Sequence, residues 1–206
     1  MLLPRVYPIL ETGLLARHGI TPMKAAEAVL DAGARILQLR HKAFFSRSDY
    51  EVARQIAGLC RQAGALFVIN DRADIAMLLE AALHLGQEDL PPAAARKLSE
   101  KAIIGFSTHN ERQLVAGDTE PVDYLAIGPI FSTGSKENPD PVVGVEELRR
   151  LRPLTRKPLV AIGGITRMNA KQVWQAGADS VAVIGDLLPD IRERAKAWVK
   201  LADAEG

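Results

Sequence analysis

The stretch Ala32-Gly33-Ala34-Arg35-Ile36-Leu37-Gln38-Leu39-Arg40-His41-Lys42 holds one complete joint between a helix and a strand. Gly33 follows a helical run and suits the left-handed turn that ends a helix. The apolar, β-branched segment after it reads as a strand. Its character then changes. Gln38, Arg40 and Lys42 alternate with Leu39 and His41, and the period of a strand puts the amide and both cations on one side. Such a strand end resembles the rim of a polyanion site, although by itself it reads equally well as a solvated terminus.

Outward from this joint the same unit recurs. Ala63-Gly64-Ala65 and Ala176-Gly177-Ala178 repeat the Ala-Gly-Ala signature between a helical run and a strand. Apolar β-rich runs occupy 6–10, 34–39, 65–69, 82–85, 102–106, 124–127, 159–162 and 180–184. Most are almost continuously apolar, as expected for parallel strands covered on both faces. Helical spacing predicts helices over 23–30, 49–60, 71–79, 92–98, 111–115, 145–151, 168–175 and 191–201. Regular alternation of eight such pairs predicts an α/β fold, a single-domain (β/α)8 TIM barrel over 1–206, with a doubly wound open sheet as its competitor. No Pro- or Gly-rich linker divides the chain.

Composition narrows the function. A net charge of +1 gives no global field for nucleic acid or an acidic membrane surface, so local cationic clusters carry the argument. Cys60 is the one cysteine, which excludes an intrachain disulfide framework and suits a reducing compartment. The start of the chain lacks a signal-peptide pattern and no apolar run approaches membrane-spanning length, so a cytoplasmic protein is expected.

A barrel gathers function where strands end, and the polar residues follow that rule. After the strands come Gln38 to Lys42, Asn70-Asp71-Arg72, Gly86-Gln87-Glu88-Asp89, Ser107-Thr108-His109, Gly128-Pro129, Gly163-Gly164-Ile165-Thr166 and Gly185-Asp186, while the strand interiors hold almost nothing polar. Asp71 and Asp89 end neighbouring strands, and two carboxylates with little else suit Mg²⁺. Each alone reads more simply as a helix cap. The glycines after the seventh and eighth strands suit a phosphate site, or a tight turn. The long loop over 131–143 reads as a lid or binding loop, with Lys136 as a candidate moving phosphate contact or else a solvated loop lysine. His84, inside an apolar strand, reads as a hydrogen-bonded core histidine, and Trp174 and Trp198 as packing. No nucleophile elbow or catalytic triad is visible.

Taken together and in order, Gln-x-Arg-x-Lys at 38–42, Ile-Asn-Asp at 69–71 and His-Leu-Gly-Gln-Glu-Asp at 84–89 resemble the thiamine-phosphate synthase family. Ser107-Thr108-His109, Gly128-Pro129-Ile130-Phe131, Ser135-Lys136, Ala161-Ile162-Gly163-Gly164-Ile165 and Gln175-Ala176-Gly177-Ala178-Asp179 extend the resemblance over nearly the whole chain. It implies a (β/α)8 enzyme that joins a hydroxymethylpyrimidine diphosphate to a thiazole phosphate and releases pyrophosphate. It further implies that Gln38, Leu39, Arg40, His41, Lys42, Asn70, Ser107 and Lys136 bind the pyrimidine diphosphate. Thr133, Gly134, Ser135, Gly164, Ile184 and Gly185 would bind the thiazole phosphate, and Asp71 and Asp89 would hold Mg²⁺. Arg40, Lys42 and Lys136 would stabilise the leaving diphosphate. The implied partners are phosphorylated heterocycles, with no nucleic acid and no membrane; a homo-oligomer is left open. Two departures stand out: Gly185-Asp186 replaces the family's usual Ser-Ala, and Ala82-Leu83 precedes His84 where relatives often carry Gly. The competing readings are a thiazole tautomerase-like isomerase, typically without the metal carboxylates, and a non-catalytic thiamine-phosphate-binding regulator. Asp186 is expected to turn away from a bound phosphate toward the first turn of the last helix, where negative charge is favourable.

Overall fold

The computed structural model describes residues 2–133 and 140–205. In chain order the strands are β1 (Val6–Glu11), β2 (Ile36–Arg40), β3 (Leu66–Asn70), β4 (Ala82–Leu85), β5 (Ile104–Thr108), β6 (Tyr124–Ile127), β7 (Leu159–Ile162) and β8 (Ser180–Val183). All pair in parallel with their sequence neighbours, and β1 also pairs with β8, so the sheet closes. The open-sheet alternative is thereby excluded, and the (β/α)8 barrel stands.

The helices are α1 (Thr12–Arg17), α2 (Pro22–Asp31), α3 (Arg47–Ala63), α4 (Ala73–Leu78), α5 (Pro92–Leu98), α6 (Glu111–Thr119), α7 (Val145–Leu151), α8 (Ala170–Gln175) and α9 (Ile191–Ala204). Local chemistry sets their ends. Ser46 caps α3 through a reciprocal box with Asp49, and Gly64 closes the helix in the left-handed region at φ 64°. Gly33 and Gly177 share positive φ, so the Ala-Gly-Ala repeat is a repeated helix-to-strand turn. Helix α1 was not expected; the Glu11 carboxylate holds its start by accepting from the N–H groups of Gly13 and Leu14.

Side chains alternate between two apolar layers. Leu37, Leu39, Phe67, Ile69, Leu83 and Leu85 point outward into the layer shared with the helices. Tyr7, Ile9, Ile36, Val68, Ala82, Tyr124, Ala126, Val160 and Ala182 fill the barrel. The expectation of apolar strand interiors therefore needs correction, because two tyrosine hydroxyls lie inside the barrel. Cys60 and both tryptophans are buried, as read, and Cys60 burial pushes its thiol up to about 12. Among the described residues no helix is long and apolar enough to cross a membrane.

Candidate active site

Register brings the carboxyl end of β2 beside those of its neighbours. Gln38 lies opposite Ile9 on β1 and Val68 on β3, while Asn70 at the end of β3 lies opposite His84 on β4. Alternation places Gln38, Arg40 and Lys42 on the barrel side. It also separates two residues expected to join them. Leu39 packs in the outer layer against the helices. The His41 ring is held by Thr12 Oγ1 at 2.9 Å and the Phe44 carbonyl at 3.1 Å, edge-on to Phe45. Both side chains thus anchor the β2 end from behind, which leaves backbone atoms as their route to a ligand.

Lys42 donates to Asp71 Oδ2, and Arg40 lies 3.7 Å from the Glu11 carboxylate. Glu11 was not singled out from sequence; its place directly after an apolar strand was the available signal. Asp71 adopts φ 65°, a left-handed conformation that costs a non-glycine residue about 1–3 kcal/mol. It is held there because its N–H donates to the His84 carbonyl at 2.8 Å, extending the β3–β4 ladder one residue beyond the strand. This turn swings the carboxylate toward Lys42 and Asp89. Burial, and then the neighbouring Asp89 carboxyl, push the Asp71 pKa up, and the Lys42 ammonium opposes them. Asn70 is buried beside this cluster, with its Nδ2 lacking a hydrogen-bond partner among the described residues.

Neither carboxylate caps a helix. The residue before α4 is Arg72 and the one before α5 is Pro91, and neither helix has a side-chain cap. Asp89 instead accepts from the Gly86 N–H at 2.6 Å, which folds the turn after β4 back on itself. The two groups form a half-buried acidic pair that a cation would stabilise, and their all-oxygen character suits Mg²⁺. No group of three or more potential ligands occurs among the described residues.

Deeper in the barrel, a chain of side chains crosses from β2 to β5. Gln38 Nε2 donates to the Tyr7 hydroxyl at 2.8 Å, which lies 3.0 Å from the Tyr124 hydroxyl. Tyr124 reaches His84 Nδ1 at 3.0 Å, and His84 Nε2 reaches Ser107 Oγ at 2.9 Å. His84 is the hydrogen-bonded core histidine expected, yet it also supports Ser107. Burial lowers its pKa from 6.5 to about 4, keeping the ring neutral, and burial raises both tyrosines. The chain brings Gln38 and Ser107, predicted to share one ligand, into a single hydrogen-bonded unit. Tyr7 and Tyr124 were missed because their partners lie across the barrel.

On the far side, Gly164 has φ 64°, and a Cβ there would sit 2.5 Å from the Ser132 carbonyl oxygen. The same crowding meets Gly163 against Pro129, so backbones approach here without side chains between them. The tight-turn reading of this pair is therefore correct as structure, and it sets two loops against each other on the rim. Asn169 fixes the turn, accepting from the Thr166 N–H and donating to the Gly164 carbonyl. Thr133 and Ile184 are half-buried and Gly185 is exposed. Gly134, Ser135 and Lys136 lie outside the described residues. The Asp186 carboxylate is held by Arg167 Nε at 2.8 Å and Arg194 Nη1 at 3.4 Å, the latter in the first turn of α9. It does turn toward the last helix, but arginine side chains hold it there.

A closed barrel with a strained Asp71, an acidic pair and facing cations gathered at its carboxyl rim is the arrangement of a (β/α)8 enzyme. The chain belongs to the thiamine monophosphate synthase family, whose profile matches residues 6–187. It is 46% identical over 203 residues to a thiamine-phosphate synthase of Koribacter versatilis, covering 97% of this chain and 96% of that protein. A thiamine-phosphate synthase of Methanospirillum hungatei is 40% identical over 187 residues, covering 89% and 91%. Among solved structures, a thiamine phosphate pyrophosphorylase from Pyrococcus furiosus superposes with a TM-score of 0.88 at 30% identity, covering 98% of this chain and 96% of that one.

Proposed function

We propose that this protein is a Mg²⁺-dependent thiamine-phosphate synthase. It would condense 4-amino-2-methyl-5-(diphosphooxymethyl)pyrimidine with 4-methyl-5-(2-phosphoethyl)thiazole, or its carboxylated form. The products are thiamine phosphate and pyrophosphate. The observation that carries this reading is the Asp71–Asp89 pair beside Lys42, neither carboxylate serving as a helix cap.

Asp71 and Asp89 would hold Mg²⁺, which supplies charge neutralisation for a diphosphate leaving group. Arg40, Lys42 and the buried amide of Asn70 bind the diphosphate, and Lys136 adds a cation from the loop after β6. Gln38 and Ser107 orient the pyrimidine. The methylene C–O bond breaks with both electrons leaving on the diphosphate, and the aminopyrimidine spreads the positive charge left behind. The thiazole nitrogen lone pair then forms the new C–N bond. The protein's contribution is fixed positive charge where negative charge accumulates, so no protein nucleophile is required. The thiazole phosphate would seat across the barrel, on Thr133 to Ser135, Gly164, Ile184 and Gly185.

The test is coupling rate against Mg²⁺ concentration for wild type, Asp71→Asn and Asp89→Asn. Each variant should lose about 10²-fold or more in turnover, with partial recovery at high Mg²⁺. Full activity in both, or indifference to a chelator, would overturn the metal-pair reading, and absence of coupling in the wild type would favour an isomerase.

A further inference from the structure

We infer that Tyr124 and His84 are positioning residues that fix Ser107 as a hydrogen-bond donor toward the substrate pyrimidine. This rests on the functional reading above for the identity of the ligand, but the directional argument comes from the protein alone.

Proton counting gives the direction. Gln38 presents Nε2 to Tyr7, and that nitrogen can only donate, so the Tyr7 oxygen accepts. Tyr7 is buried, and its own proton then has one hydroxyl within reach, that of Tyr124. Tyr124, accepting from Tyr7, must spend its single proton on His84 Nδ1. That nitrogen is therefore bare. A neutral imidazole carries its proton on the other nitrogen, so His84 Nε2 donates to Ser107 Oγ. The Ser107 hydroxyl proton is left over. Ser107 is half-buried at the end of β5, on the barrel side, so that proton points toward the rim.

Every member needs its partner, because a buried polar group without one is costly. The bonds are thus directed as a set, Gln38 to Tyr7 to Tyr124 to His84 to Ser107. Reversing any interior bond leaves a buried proton or lone pair unmatched. Ser107 accordingly has its one proton to give, and matches a ligand atom that accepts, such as a ring nitrogen of the aminopyrimidine.

Two measurements test this. The first uses the full-length protein labelled with ¹⁵N-histidine, with the His84 resonances identified by their loss in His84→Gln. The expected pattern is a bare Nδ1 and a protonated Nε2 in wild type, becoming mixed in Tyr124→Phe. A protonated Nδ1 in wild type would overturn the proposal. This arm needs no substrate, so its failure is distinguishable from failure of the coupling assay.

The second compares kcat/KM for the pyrimidine diphosphate with analogues in which each ring nitrogen in turn is replaced by C–H. Wild type should discriminate about tenfold or more against one of them, the value of a single lost hydrogen bond. Ser107→Ala and Tyr124→Phe should both erase that discrimination, and the double variant should lose nothing further. Tyr7→Phe should keep it, because Tyr124 then still donates to His84. Equal losses on all substrates in Tyr124→Phe, or loss of discrimination in Tyr7→Phe, would overturn the proposal.

Discussion

At the scale of single residues, His84 shows how burial becomes a pH response. Its ring is held between the Tyr124 and Ser107 hydroxyls, with the Asp89 carboxylate and Lys42 ammonium pulling its charge in opposite directions. Burial lowers its pKa from 6.5 to about 4. A histidine with a depressed pKa binds fewer protons folded than unfolded. Its contribution to stability is therefore complete above pH 6.5 and lost as pH falls toward 4. At about 1.4 kcal/mol per pH unit, the loss across that window is about 3 kcal/mol. Urea-unfolding free energy should therefore fall more steeply between pH 6.5 and 4 in wild type than in His84→Gln. Parallel curves would remove His84 as the source. Asp71 shifts in the opposite sense for an acid: raised by burial and by Asp89, it disfavours its own charged form in the folded protein. The rim thus keeps groups whose ordinary charge states the fold makes costly, the usual mark of a working site.

At the scale of elements, the turn after β7 illustrates a sequence signal with two readings. Gly163-Gly164 suggested either a phosphate cradle or a tight turn, and the geometry supplies the turn directly. Gly164→Ala would place a methyl 2.5 Å from the Ser132 carbonyl oxygen and 2.7 Å from Phe131 Cβ, at φ 64°. The expected outcome is about 1–3 kcal/mol of destabilisation and a raised KM for the thiazole phosphate, with kcat less affected. An unchanged melting temperature and KM would show that the opposing loop yields freely. The strands, their order and the rim residues were legible because each depends on local pattern: apolar runs, a period of two, and glycine where helices end. The ambiguity at Asp71 was not resolvable locally, since capping and metal binding use the same residue type at the same place. The capping alternative falls because Asp71 sits at φ 65°, imposed by the ladder to His84, one residue ahead of an uncapped Arg72. The hydrogen-bonded chain was equally hidden. Tyr7 and Tyr124 are 117 positions apart, and a tyrosine in a strand reads as core until its partner is known. Gly105 helps explain why the pair meets, because any Cβ there would strike the Tyr124 ring at 2.0 Å.

At the scale of the whole molecule, the barrel divides its labour between two ends. The amino-terminal end is tied shut around Arg5, just before β1. One guanidinium nitrogen donates to the Ala178 carbonyl at 3.3 Å and another to the Glu205 carbonyl at 3.0 Å, while the side chain lies over the Trp174 ring. Trp174 Nε1 donates back to the Arg5 carbonyl at 3.1 Å. These contacts join the first strand, the approach to β8 and the end of α9, and so close the circle at its chain ends. None of them reaches the rim that holds Lys42, Asp71 and Asp89. Arg5→Ala should therefore cost about 1–2 kcal/mol, lowering the melting temperature by about 2–4 °C per kcal/mol, while kcat and KM stay at wild-type values. Calorimetry and coupling kinetics on the same preparation provide the check. A fall in kcat at full folding would mean that closure at the base sets the spacing of the rim. That would follow if Tyr7, two residues on from Arg5 and the second member of the hydrogen-bonded chain, moved with β1.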